Sequence, residues 1–197
     1  MAFRSILSFQ PALLLNCVVR PREVAVAISV ADYLIDQSVI DWTNALDSWS
    51  WLLPPEFTLW LVNRFADLFL VLSDGTVHML DVGVGTLTKV AESRDDFCTK
   101  IDEDDNANQW LIIPLVDRMV AAGVILQPGQ CYGFKTPPLL GGDYTVENAG
   151  PLPVWDYLGA YGSIHEQLRD VPDGSQVVLK VVNKPAEPGA TADGGGT

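Results

Sequence analysis

Basic residues are scarce in this chain, with 12 lysines and arginines set against 25 aspartates and glutamates. The resulting net charge of −13 repels nucleic-acid phosphates and anionic lipid heads at long range. Direct nucleic-acid binding and a membrane role are therefore not expected, and a partner should be basic or neutral. Histidine is limited to His78 and His165, and cysteine to Cys17, Cys98 and Cys131. An odd number of widely spaced cysteines suits a reducing cytoplasm better than a disulfide framework. Phosphate-binding GxxxxGK[ST], zinc-binding HExxH and CxxC are all missing, so no cofactor and no metal are expected. No stretch reaches the roughly 18 uninterrupted apolar residues of a membrane-spanning helix.

What is present suits a folded core. Hydrophobic residues make up 48% of 197 positions, enough for one compact domain. The opening "MAFRSILSFQPALLLNCVV" is a faint version of a secretory signal, but Gln10 and Pro11 interrupt it and no small-residue cleavage site follows. Residues 1–30 are expected to be a weakly structured extension. From Lys184 the tail "KPAEPGATADGGGT" offers no large side chain to offset its ordering entropy. Residues 184–197 should be disordered, leaving 31–183 as a single domain.

Within that domain "FADLFLVLSDGTVHMLDVGVGTLTKV" alternates apolar runs with Ser73-Asp74-Gly75 and Gly83-Val84-Gly85. Asp-Gly supplies the positive φ angles of tight hairpins, so a three-stranded meander is predicted over about 65–90. Gly83 and Gly85 lack the third glycine and the following helix of a dinucleotide loop and are read as a turn. Ser93 followed by Asp96 marks a helix start, with a helix to about Ile101. "NQWLIIPLVDRMVAAG" predicts a second helix, with Pro114 tolerated only in a first turn and Gly123 as its end. Val154, Tyr157, Leu158, Tyr161, Ile164 and Leu168 recur at helical spacing, predicting a third helix over 154–169. "QVVLKVV" from Gln176 would close the sheet. The fold class expected is α+β, an antiparallel sheet packed against two to three helices.

Three groups of residues could carry function. The first is acidic: Glu92, Asp95, Asp96, Asp102, Glu103, Asp104 and Asp105 face only Arg94 and Lys100 along one stretch. "DEDDNANQ" lacks the glycine and terminal glutamate of a calcium loop, so this stretch is either a solvated helix end or a docking surface for a basic partner. The second would be a cysteine-dependent hydrolase using Cys131 with His165 and Asp156. A buried Cys131 and a surface His165 form its plainer reading; His78 is read as structural or exposed. The third is "CYGFKTPPLLGGDYTVEN". Pro137 and Pro138 fix an extended approach, Gly141 and Gly142 permit a sharp reversal or a close pass, and Tyr132, Phe134 and Tyr144 offer area to bury. That makes the stretch chiefly architectural, unless Tyr132, Phe134, Tyr144 and Trp155 line a cleft for a small ligand or peptide.

The same stretch, Y-x-F-x-x-P-P-x-L-G-G-x-Y from Tyr132 to Tyr144, joins "FADLFLVLSDGTVHMLDVGVGTLTKVAESRDDF" before it and "YGSIHEQL" after it in resembling the C-terminal domain family of type VI secretion immunity proteins. The likeness runs over about residues 42–180. It implies a non-enzymatic antitoxin that binds a cognate toxin, a DNase in the best-known branch, and blocks its active site or assembly. Better-known members carry a further N-terminal domain, which residues 1–41 do not resemble. An acidic surface such as 92–105 would suit the basic DNA-gripping face of a nuclease.

Overall fold

The computed structural model describes residues 18–19, 28–172 and 174–178. Its centre is a four-stranded antiparallel sheet, β3 (Thr58–Val62), β4 (Leu68–Val71), β5 (Val77–Asp81) and β6 (Thr86–Ala91), in the order β3-β4-β5-β6. The predicted meander is there, and one further strand, β3, precedes it. Gly75 (φ +85°) and Gly85 (φ +77°) make the two hairpin turns, as the Asp-Gly and Gly-x-Gly punctuation requires. A two-residue pair, β1 (Val18–Val19) with β2 (Ile28–Ser29), lies before this sheet in sequence.

Both faces of β3 and β4 are covered, which is why these two strands read as nearly unbroken apolar runs, whereas most of β6 is exposed or half-buried. Leu68 and Leu70 of β4 point to one side and Phe69 to the other, following the two-residue period of a strand. On the Phe69 side lie α2 (Arg94–Lys100), α3 (Asn106–Leu111) and α4 (Ile113–Ala121), through Phe97, Leu111, Leu115 and Met119. On the Leu68 side lie α1 (Trp42–Ala45), a 3₁₀ turn (Asp47–Trp49) and α5 (Val154–Leu168), through Trp42, Trp49, Tyr157, Leu158 and Tyr161. A register shift between Leu59 and Leu61 of β3 lets Trp60 and Leu61 both serve the first core while Leu59 and Val62 serve the second. The class is α+β.

The helix after Ser93 begins as expected. Ser93 Oγ accepts from the Asp96 amide at 3.1 Å, and the Asp96 carboxylate reaches back to the Glu92 amide at 2.7 Å. The predicted second helix is two. Ile112 adopts a left-handed conformation (φ 52°, ψ 38°) that ends α3 and starts α4. Pro114 then falls in the first turn of α4, where its missing N–H costs nothing. Residues 106–121 thus fold as a bent pair that follows the curved surface of the core.

A second small sheet pairs β7 (Gln130–Phe134) with β8 (Ala149–Pro153). The Tyr132 amide donates to the Arg64 carbonyl at 2.7 Å, tying this hairpin to the end of β3. Between β7 and β8 runs the proline- and glycine-rich stretch. The expected closing strand from Gln176 is absent as far as Val178, where the chain is irregular and Val178 is exposed; its remainder, and the expected tail over 184–197, lie outside the described residues, as does most of the expected extension over 1–30. Cys98 on α2 is disulfide-bonded, which corrects the expectation of reduced thiols throughout.

Candidate functional site

The acidic stretch wraps one end of α2 and the turn into α3. Asp96 is the least available of its carboxylates: the Glu92 amide, and then Lys100 at 3.0 Å, hold it below the usual carboxylate range. Glu92 is paired with Lys89 at 2.5 Å. Asp105 accepts from Asn108 at 2.7 Å. Asp95, Asp102, Glu103, Asp104 and Asp105 are exposed and, among the described residues, carry no ion pair. The stretch therefore divides into a capping device (Ser93, Asp96) and a solvent-facing group of four consecutive acids, 102–105, in the turn between α2 and α3.

The proline- and glycine-rich stretch is held from within. Tyr132 and Phe134 are buried in the core against Phe65, Tyr132 tilted with ring centroids 5.5 Å apart and Phe134 stacked at 5.1 Å. A ligand cleft lined by both rings is thereby ruled out, although Tyr144 and Trp155 do reach solvent. Pro137 and Pro138 lead into a single 3₁₀ turn, Pro138–Leu140, that Gly141 ends at φ +84°. Gly142 makes the close pass: a Cβ there would stand 1.9 Å from the Thr136 carbonyl oxygen, so no other residue fits. Asn148 clasps the loop, donating from Nδ2 to the Thr136 and Asp143 carbonyls and accepting from the Thr136 amide on Oδ1, all at 2.9 Å. Nothing in the local spacing marked Asn148, whose partners lie up to twelve residues away.

The loop and α5 then grip the tip of the β5–β6 hairpin from two sides. A Cβ at Gly83 would lie 3.2 Å from the Tyr144 hydroxyl, and one at Gly85 would lie 2.3 Å from His165 Nδ1. His165 Nε2 donates to the Val82 carbonyl at 3.0 Å. His165 is therefore buried, not a surface residue; the sequence pattern misassigned it because the hairpin that covers it is distant in the chain. Burial pushes its pKa down, against the Val82 hydrogen bond and the Asp81 charge. Below the hairpin, Asp67 accepts from the Val82 amide and from Asn63 Nδ2, both at 2.8 Å, while Asn63 Oδ1 accepts from the Phe65 and Asp67 amides, both at 2.9 Å. Burial, and then the nearby Asp81, push the Asp67 carboxyl well up, and burial raises Asp81 as well. Tyr144 is pushed up to about 12 by burial of its hydroxyl end and by the same two aspartates.

The hydrolase arrangement is not assembled. Cys131 is wholly buried on β7, with its thiol raised by burial and by Asp67, and Sγ lies 3.8 Å from the Leu152 carbonyl. A nucleophilic cysteine needs the opposite, an accessible and stabilised thiolate. Asp156 is exposed and precedes His165 by nine residues on α5, which places the two side chains on opposite sides of the helix. His78, half-buried in β5, bonds Thr76 Oγ1 at 3.1 Å. Among the described residues no helix is long and apolar enough to cross a membrane.

Among solved structures, the crystal structure of Atu4351 from Agrobacterium tumefaciens aligns with 52% of this chain and 52% of its own length, at 18% identity and a TM-score of 0.38. No curated protein matches. Residues 91–165 do match a family, and narrowly enough to begin just before Glu92 and end at His165, inside the 42–180 span of the sequence resemblance: the family is that of the T6SS immunity protein Tdi1, C-terminal domain.

Proposed function

We propose that this chain is a non-enzymatic immunity protein that binds a cognate secreted toxin, with a nuclease as the favoured toxin class, and neutralises it by occupying its surface. The family match over residues 91–165 carries the reading, since it supports an immunity role and includes every residue of the acidic stretch and of the Tyr132–Tyr144 motif. The buried thiol of Cys131 and the split of Asp156 from His165 favour it over the hydrolase. In this proposal Asp102, Glu103, Asp104 and Asp105 supply long-range attraction to a basic toxin face, and Glu92 and Asp95 extend it. Asp96 contributes mainly through the helix cap. The motif residues Tyr132, Phe134, Pro137, Pro138, Gly141, Gly142 and Tyr144 act by holding the scaffold rigid.

The test is binding to the protein encoded by the neighbouring reading frame, where a cognate toxin is expected, measured across a range of salt concentrations. Reversing Asp102, Glu103, Asp104 and Asp105 to lysine should weaken binding about tenfold or more at low salt and flatten its salt dependence. Unchanged affinity and slope would acquit the patch. In this proposal the encounter takes place in the cytoplasm.

A further inference from the structure

Two cavities, of about 380 and about 590 Å³, adjoin across the residues Pro128, Gly129 and Gln130, which line both. The first opens beside Ile125 and Val120, the second beside Val39 and Trp155. These four side chains are 74, 53, 59 and 64% exposed. Exposed apolar residues scattered singly need no explanation, whereas a run of them along one groove does. The fold does not require them. Val154, Tyr157, Leu158 and Tyr161 form the buried face of α5, and Trp155 lies off that face. Residues 124–127 run without regular pairing, with Ile125 and Gln127 outward and Val124 and Leu126 half-buried.

We propose that this groove is an apolar anchor site for the toxin, distinct from the acidic stretch, and that it receives a protein segment bearing one or two apolar side chains flanked by lysine or arginine. The proposal rests on the immunity reading and adds to it the place where short-range affinity resides. Two cavities that share the Pro128–Gly129–Gln130 wall suit two side chains of one extended segment better than a compact ligand. The rim sets the charge of that segment: Asp36 lines the first cavity and Asp41 the second, Asp156 follows Trp155, and all three are exposed. Arg64 is the single cation among the described lining residues. A second copy of this chain fits poorly, because an acid-rimmed groove on a molecule of net charge −13 repels its own kind. Exposed tryptophan at such a place is the residue type that most often dominates binding.

The experiment is calorimetric titration of the full chain with the protein encoded by the neighbouring reading frame, using Trp155→Ala and Ile125→Asp. Both positions are exposed, so thermal unfolding by circular dichroism should match the wild type. Each variant should lose affinity about tenfold or more, and Trp155→Ala should leave the salt dependence intact. Binding of both variants within about twofold of wild type overturns the anchor site; if the lysine reversals at 102–105 still weaken that complex, the immunity reading survives alone. No complex with the wild type overturns both. Sedimentation that shows a wild-type dimer dissociated by Trp155→Ala overturns the assignment to a toxin and gives the groove to self-association.

Discussion

Gly159 and Gly162 stand three residues apart in α5, and replacing each by alanine should move stability in opposite directions. Around Gly159 nothing lies within 4 Å of an added Cβ. Gly159→Ala therefore gains only the helix propensity, about 0.8–1 kcal/mol, or a rise in Tm of roughly 2–4 °C for a chain of this size. At Gly162 the added Cβ would meet Ser48 Oγ at 2.4 Å and the Ser48 carbonyl oxygen at 2.7 Å. Ser48 Oγ can rotate away, but its carbonyl cannot, so α5 must lift from the 3₁₀ turn Asp47–Trp49. That turn is fastened to α5 by two bonds to the Leu158 carbonyl, from Ser48 Oγ at 3.1 Å and from Trp49 Nε1 at 3.0 Å. Trp49 is wholly buried, so freeing its N–H costs about 1–3 kcal/mol, and losing the serine bond adds about 0.5–1.5. Subtracting the propensity gain leaves a destabilisation of about 0.5–3.7 kcal/mol, a fall in Tm of roughly 1–15 °C. Thermal unfolding of both variants beside the wild type is the assay. A Gly162→Ala protein that melts at or above wild type would refute the close-packing account of this helix.

Two further outcomes follow from the buried groups. Cys131 should resist thiol reagents in the native protein and react only on unfolding, while alkylation in fresh cell lysate should leave Cys98 unlabelled; rapid native labelling of Cys131 would contradict its burial, and full labelling of Cys98 would contradict its disulfide. His165 has a folded pKa below its unfolded value of about 6.5, so its contribution is fully present above about pH 6.5 and is lost as pH falls toward the folded pKa, at no more than about 1.4 kcal/mol per pH unit. Asp67 and Asp81, both raised, act in the opposite sense: their contribution is present below about pH 4 and is lost as pH rises through their folded values. Denaturant unfolding of wild type and His165→Gln between pH 5 and 8 isolates the imidazole by difference, and parallel curves would remove it from the pH account.

Local chemistry alone determined the elements whose signals lie within a few residues of each other. The Asp-Gly turn after β4, the Ser93–Asp96 cap of α2 and the helical spacing from Val154 to Leu168 each depend on neighbours in the chain, and each is found where the pattern puts it. The character of the Tyr132–Tyr144 stretch was legible too, since prolines restrict the backbone and glycines admit reversals and close passes wherever they occur. Ile112 was not: an isoleucine in left-handed backbone is disfavoured locally, and only the packing of α3 and α4 around one core imposes it. The burial of His165, the clasp made by Asn148 and the groove joining Val39 to Trp155 likewise unite residues from 5 to more than 100 positions apart. A chain's own order carries turns, caps and periodicity, whereas which polar groups end up sealed and which apolar ones stay exposed is settled only when distant segments close over one another.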